Sequence, residues 1–399
     1  MRAAPANPTS SPATQSSNEG WQRASLGKLL PIKYGKSLPA QLRDATGSHP
    51  VFGSSGIVGT HSAALTSGPT LIVGRKGNVG AIHYSTVPCW PIDTAYFVEA
   101  PAGHNLRYYK YLLESLNLAR LDRSTAIPGL SRDDYNAVEV SVAPPEQQDE
   151  IVAELEKQFS RLDEAVANLK RVKANLKRYK ASVLKDAVEG RLVPTDGNWT
   201  QTKLGEVALS VRNGYSHKPD ADAGTRIFRI SAVRPMELNA DDVRYLNGSA
   251  SDYESFLAVE GDVLFTRYNG SRDYVGVCAL VPAGMPPTVY PDKLIRVRVP
   301  TSVLLPAFVV IAASTGRGRD FIESMIRTTA GQSGVSGTDI KAIPISIPPL
   351  EEQVRIVAEA DRRMSLVRGV ETEVDANLKR AQALRQATLQ RAFQQKKTP

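Results

Sequence analysis

Forked hydrogen-bond donors sit on two glycine-broken loops of this 399-residue chain. The first is Gly74-Arg75-Lys76-Gly77-Asn78-Val79-Gly80, and the second runs Gly261-Asp-Val-Leu-Phe-Thr-Arg267-Tyr268-Asn269-Gly270-Ser271-Arg272. Guanidinium and amide groups match the edges of bases in a duplex, while cations and amides match phosphates. Flanking glycines let the backbone approach a ligand closely. Arg75, Lys76 and Asn78 are therefore candidate DNA contacts in the first loop, and Arg267, Tyr268, Asn269 and Arg272 in the second. Ser54 and Ser55, in Gly53-Ser-Ser-Gly56, join them.

Covalent chemistry finds no comparable support. Methyl transfer to DNA needs a donor-binding glycine motif and an Asn/Asp-Pro-Pro-aromatic turn, yet the three Pro-Pro pairs precede Glu146, Thr288 and Leu350. A metal nuclease of the common kind needs Glu-x-Lys after an Asp, and no Glu-x-Lys occurs. Gly35-Lys36-Ser37 imitates the end of a phosphate-binding loop, but the earlier glycine would fall on Leu30, so a plain turn is the reading. His49, His61, His83, His104 and His217 are scattered without ligand spacing, so no metal site is expected. Cys89 and Cys278 lie far apart and read as reduced thiols of a cytoplasmic protein.

With 42% apolar residues the chain can bury more than one core. A net charge of +8 and a pI near 9.3 agree with a polyanionic partner without requiring one. Residues 1–20 are rich in Ser, Pro, Ala, Asn and Thr and predict a flexible tail, not a signal peptide. No apolar run is long enough to span a bilayer, so no membrane partner is expected.

The elements that must carry these loops are repeated. Gly129 to Ala153 returns at an offset of 205: Ser131 with Ser336, Asp134 with Asp339, Gln148 with Gln353, Ile151-Val152-Ala153 with Ile356-Val357-Ala358. Trp21…Leu26-Gly27 returns as Trp199…Leu204-Gly205 at an offset of 178. The second module thus holds 27 more residues than the first on an equivalent scaffold. Within the repeat, Val138, Val140 and Val142 and then Ile343, Ile345 and Ile347 alternate as half-buried strands do. Each run stops at prolines, which together with following acidic residues open a helix.

Two long helices follow, near 146–191 and 351–395. Val152, Leu155, Phe159, Leu162, Val166, Leu169, Leu176 and Val183 mark a coiled-coil stripe on the first, and Val357, Ala360, Met364, Val367, Val374, Leu378, Ala381 and Phe393 mark the second. Helices of roughly 60 Å, at ~1.5 Å per residue, need a partner, and the economical one is each other, antiparallel. Lys170, Arg171, Lys173, Lys177, Arg178 and Lys180 crowd the first helix and read as a solvated face. The globular segments read as short strands and turns, with flanking helices over 108–118 and 307–325.

This layout resembles the specificity subunit of type I restriction-modification systems. The carrying motifs are Pro144-Pro145-Glu-Gln-Gln148 and Pro348-Pro349-Leu-Glu-Glu-Gln353, then Phe52-Gly-Ser-Ser-Gly-Ile-Val-Gly59, Gly74 to Gly80, Asp93-Thr-Ala-Tyr-Phe97 and Gly261 to Ser271, in this order and with duplicated spacing. The resemblance implies an α+β chain with a pseudo-two-fold internal repeat. Two mixed α/β target-recognition domains, 21–145 and 194–348, would be joined by conserved long helices, 146–193 and 349–399, pairing as an antiparallel coiled coil. It further implies a non-catalytic subunit that reads a bipartite asymmetric target in double-stranded DNA. Such a subunit docks two methyltransferase subunits and restriction/translocase subunits, and these partners, not this chain, hold S-adenosylmethionine, ATP and Mg. A stand-alone DNA binder, a fragment of a fused modification enzyme and a purely structural coiled-coil scaffold are the competing readings. Unlike basic domains with Gly-Arg loops speak against the scaffold, and the missing catalytic motifs speak against the fused enzyme. If Arg75 forks a guanine, Arg75→Ala weakens or relaxes recognition of one half-target by ~1–3 kcal/mol, whereas unchanged binding to both halves removes it from the site.

Overall fold

A computed structural model describes residues 20–99, 103–122, 128–329 and 331–394; the predicted tail, apart from Gly20, and the last five residues lie outside it. Among the described residues two compact units emerge, one running up to Leu169 and resuming at Ala376, the other Lys170–Asp375.

The first unit is built on the antiparallel sheet Lys33–Tyr34, Ala95–Val98, Thr70–Gly74, Ile82–Ser85, in that order. The second unit repeats that order with Ser210–Asn213, Leu294–Arg298, Val263–Thr266 and Cys278–Leu280. All five residues of Thr70–Gly74 and all four of Val263–Thr266 are buried, as central strands covered on both faces must be. A smaller sheet accompanies each: Gly56–His61, His49–Gly53 and Trp90–Pro91 in the first unit, and four strands including Thr225–Phe228 and Val243–Leu246 in the second. The helix read over 108–118 spans Leu106–Ser115. The one read over 307–325 is two helices, Pro306–Ser314 and Gly316–Met325, broken where Thr315 is extended and Gly316 takes a φ of +52°.

Both repeat offsets reappear as geometry. Gln22–Ser25 pairs antiparallel with Glu139–Val142, Gln22 opposite Val142, and Thr200–Lys203 pairs with Pro344–Ile347, Thr200 opposite Ile347. The alternating valines and isoleucines bury Val140, Val142, Ile345 and Ile347, as the period of two requires. Gly27 and Gly205 occupy equivalent close approaches, where a Cβ would fall 2.8 Å from Asn136 Cβ and 2.7 Å from Lys341 Cβ.

The long helices span Pro145–Val188 and Leu350–Phe393. Gly190, with a φ of +70°, lies just past the end of the first, where an unbranched backbone suits the left-handed turn. In the first unit, Val152, Leu155 and Phe159 share a core with Leu389, and Arg385 reaches Asp163 at 3.1 Å and lies over the Phe159 ring. In the second, Val183 and Ala187 share a core with Ile356, Ala360 and Met364, while Lys173 meets Asp375 at 2.7 Å and Lys180 meets Glu371 at 2.6 Å. Rising numbers on one helix meet falling numbers on the other, so the pairing is antiparallel. Every stripe position read from the sequence is buried or half-buried. Lys170, Lys177 and Arg178 are exposed.

Each long helix is fastened to its unit by the glutamine of the repeated motif. Gln148 and Gln353 are both fully buried. The Gln148 carbonyl oxygen accepts the N–H of Asn105 at 2.9 Å, and its amide donates to Ala143 O at 2.9 Å. Gln353 accepts the N–H of Leu305 at 2.8 Å and donates to the carbonyls of Val303 and Pro348, both at 2.9 Å. Asn105 and Leu305 are the N-caps of the flanking helices, so one side chain ties two helix entrances together. Beside it, the Trp21 indole donates to Gln147 and the Trp199 indole to Glu352. Gln353→Leu leaves the Leu305 amide and two carbonyls without this partner, at about 1–3 kcal/mol for each buried group left unpaired. The expected outcome is a lower urea midpoint at unchanged m-value, with Gln148→Leu behaving alike.

Candidate nucleic-acid interface

In the first unit, the chain leaves the strand Thr70–Gly74 at Arg75 and returns at Gly80. The Gly74 N–H donates to Ala81 O and the Gly80 N–H to Gly74 O, both at 2.8 Å, which closes the loop at its base. Arg75 is fixed three ways. Its N–H donates to Thr94 O at 2.9 Å, its carbonyl accepts the Leu130 N–H at 2.8 Å, and its Nη1 donates to Asp93 O at 2.9 Å. Its guanidinium lies 5.1 Å from the Tyr34 ring and 5.8 Å from the Tyr96 ring, within cation-π range. Burial, above all, raises the Tyr96 phenol pKa, and its hydroxyl donates to Leu130 O.

Thr94 draws the two sequence-read clusters of this unit together. Its carbonyl accepts the N–H groups of both Arg75 and Lys76, and its hydroxyl faces the Ser54 N–H at 3.4 Å. His83 Nε2 meets Ser54 O at 3.0 Å, bracing the same turn. Ser55, Lys76 and Asn78 are exposed, whereas Ser54 is buried. Gly35-Lys36-Ser37 is the turn expected of it, with Gly35 and Lys36 donating to Ala95 O and Pro91 O.

The second unit builds the same loop around different residues. The Thr266 N–H donates to Val277 O and the Gly276 N–H to Thr266 O, both at 2.9 Å. Arg267 donates its N–H to Lys293 O at 2.8 Å, accepts the Val335 N–H at 2.9 Å, and directs Nη1 at Asp292 O at 3.4 Å. Its guanidinium lies 4.7 Å from the Tyr268 ring. Arg75 and Arg267 therefore occupy one position in two copies. Leu130 and Val335, which bond to them, are separated by the repeat offset of 205 and precede equivalent helix caps at Ser131 and Ser336.

Between arginine and closing Val-Gly the two loops diverge. The first holds three residues, Lys76-Gly77-Asn78, and the second seven, Tyr268 to Tyr274. Tyr268 and Asn269 pair with Gly334 and Ser333, and Tyr268 packs across Gly334. The Asn269 side chain accepts the Ser271 N–H, and Arg272 donates to Glu323 O at 2.9 Å. All four candidates of this unit thus share one loop. The sequence reading missed the equivalence itself; its signal was Val79-Gly80 against Val275-Gly276, with Asp93 and Asp292 each ahead of the partner strand.

Neighbouring cations do other work. Asp262 is fully buried and takes a bidentate pair from Arg298 at 2.6 and 3.0 Å. Arg296 is 4% exposed, and burial lowers its pKa. Among the described residues, no group of His, Cys, Asp and Glu is arranged to hold a metal ion, and no helix is long and apolar enough to cross a membrane. Cys89 and Cys278 are free and buried, and burial pushes the Cys278 thiol up to about 12.

Comparison with known proteins fits this geometry. Residues 18–178 match the family described as the type I restriction modification DNA specificity domain. The chain is 31% identical over 301 residues to the type I restriction enzyme EcoKI specificity subunit of Escherichia coli (strain K12), covering 73% of this chain and 65% of that one. It is 24% identical over 283 residues to the StySPI specificity subunit of Salmonella potsdam, covering 69% and 61%. These matches span just under two thirds of the relatives' own lengths. A solved chain from a study of assembly and conformational transition of the type I R-M system superposes with a TM-score of 0.68 at 16% identity, over 94% of this chain and 98% of that one, and so shares the fold.

The closing glycines generate a graded prediction. Gly80 and Gly276 have φ of +73° and +66°, and a Cβ would lie 2.5 Å from Ala119 N and 2.3 Å from Ile322 Cγ2. Gly276→Ala costs about 1–3 kcal/mol through backbone strain, and Gly80→Ala costs more because it meets main chain, which cannot rotate away. Gly270→Ala, with nothing within 4 Å, changes stability by less than about 0.5 kcal/mol. Thermal melts of the three variants test that order.

Proposed function

The resemblance to type I restriction-modification specificity subunits is borne out by these matches, and from it we propose that this chain is the DNA sequence-specificity subunit of such a complex. Segment 21–145 reads one part of a bipartite asymmetric target and segment 194–348 the other. The helical segments 146–193 and 349–399 hold the readers and dock two methyltransferase subunits and the ATP-dependent endonuclease subunits. One observation carries the reading: a single loop frame, fixed by the same backbone bonds, holds unlike contents in the two units, in a chain whose residues 18–178 match a DNA specificity domain. Equal frames give two readers a common way of meeting a duplex, and unlike contents give them different words.

Chemistry in this proposal belongs to the partners. S-adenosylmethionine, ATP and Mg are held by the docked subunits, and adenine methylation proceeds there on a base flipped from the stack. This chain supplies position and sequence. The charge balance of +8 favours such a partner by countering duplex phosphates.

Single-molecule sequencing of methylated adenines in the host genome tests the proposal. The expected result is a split asymmetric motif that disappears when the gene for this chain is deleted and returns with it. Stable purification of the chain as a monomer that ignores co-expressed methyltransferase subunits would instead select the stand-alone DNA binder.

A further inference from the structure

The two framed loops divide their labour. We propose that Arg75 and Arg267 each grip the DNA backbone at a phosphate, setting register in the same way in both units, while residues 76–78 and 268–274 between arginine and Val-Gly read the bases. This rests on the proposed function and assigns roles within that site.

Where an element that two readers of different words retain in common meets the duplex, it meets the part that does not vary with the word, the sugar-phosphate backbone. The arginines are the retained element. They share the bond to the neighbouring strand, the bond from the residue before the helix cap, and the Nη1 contact to an aspartate carbonyl. What differs is what discriminates: an insert of three residues with exposed Lys76 and Asn78, against seven that include Tyr268, Asn269 and Arg272.

Arg75 and Arg267 are also unlike the structural arginines of the second unit's sheet. Arg296 is 4% exposed and buried in the sheet, and Arg298 is spent on Asp262. Arg75 and Arg267 are half-exposed, and neither forms a salt bridge to a carboxylate among the described residues. Each uses one of five N–H donors on a carbonyl, which orients the fork without neutralising it. A stacked and oriented cation is ready for an anion before the anion arrives.

The test uses the full-length chain and random double-stranded DNA. Wild type, Arg75→Gln and Arg267→Gln are each selected against the library, and the enriched duplexes are titrated across NaCl concentration. Glutamine keeps a donor for the aspartate carbonyl and removes the charge; Arg75→Lys and Arg267→Lys restore the charge and control for folding. The expected result is unchanged words, affinity lower by roughly tenfold for every enriched sequence, and a log K against log salt slope reduced by about one per substitution. Lysine recovers the slope. Lys76→Ala with Asn78→Ala does the opposite, erasing specified positions from one word. Loss of a specified base pair in a glutamine variant at unchanged slope overturns the phosphate assignment. A lower melting temperature with affinity and slope intact also overturns it, in favour of a purely structural clamp. Failure of the wild type to enrich any sequence would sink the DNA-reading function itself, a result distinct from both.

Discussion

Two buried amides carry the greatest structural responsibility in this chain. A helix entrance leaves backbone N–H groups without partners, and burying such an entrance is tolerated only if something satisfies them. Gln148 and Gln353 do this for a neighbouring helix while standing in the first turn of their own. The consequence is directional: a long helix cannot rotate about its axis or slide without exposing polar groups in an apolar interior. Apolar packing along the stripe supplies most of the attraction, but it is non-directional. The hydrogen bonds fix which face of the helix looks into the core.

Above this fastening, each unit repeats a central sheet and varies what leaves it. The strand from which the loop departs is buried throughout, and its sheet partners hold matching register in both units, Gly74 opposite Ala95 and Thr266 opposite Leu294. The end of a rigid central strand then presents an arginine at a set place. Rigid support with variable loops is how many binding surfaces reconcile stability with diversity.

Much of this was legible from residue order. The Pro-Pro-x-x-Gln repeats, the alternating valines and isoleucines and the seam positions have strong short periods, and the same periods govern burial. Constant offsets of 178 and 205 survived because the paired strands they mark tolerate no insertion without losing register. The equivalence of Arg75 and Arg267 was harder to read. Their separation, 192, matches neither offset, because insertions fall on both sides of the loop. Short strands broken by glycine leave no periodicity long enough to realign them. The break at Gly316 was hidden for a related reason: Pro306–Ser314 is apolar all round, so nothing in its pattern marks where the helix stops. That Ser54 turns inward while Ser55 faces out follows from tertiary contacts to Thr94 and His83, which adjacent letters cannot reveal.

The unequal lengths of the two inserts carry an evolutionary corollary. Because the arginine and the closing Val-Gly are held by main-chain bonds indifferent to what lies between, mutation or recombination in that interval can lengthen, shorten or replace it without disturbing the sheet. Natural selection can then exchange the contents of the loop while inheriting the same foldable body.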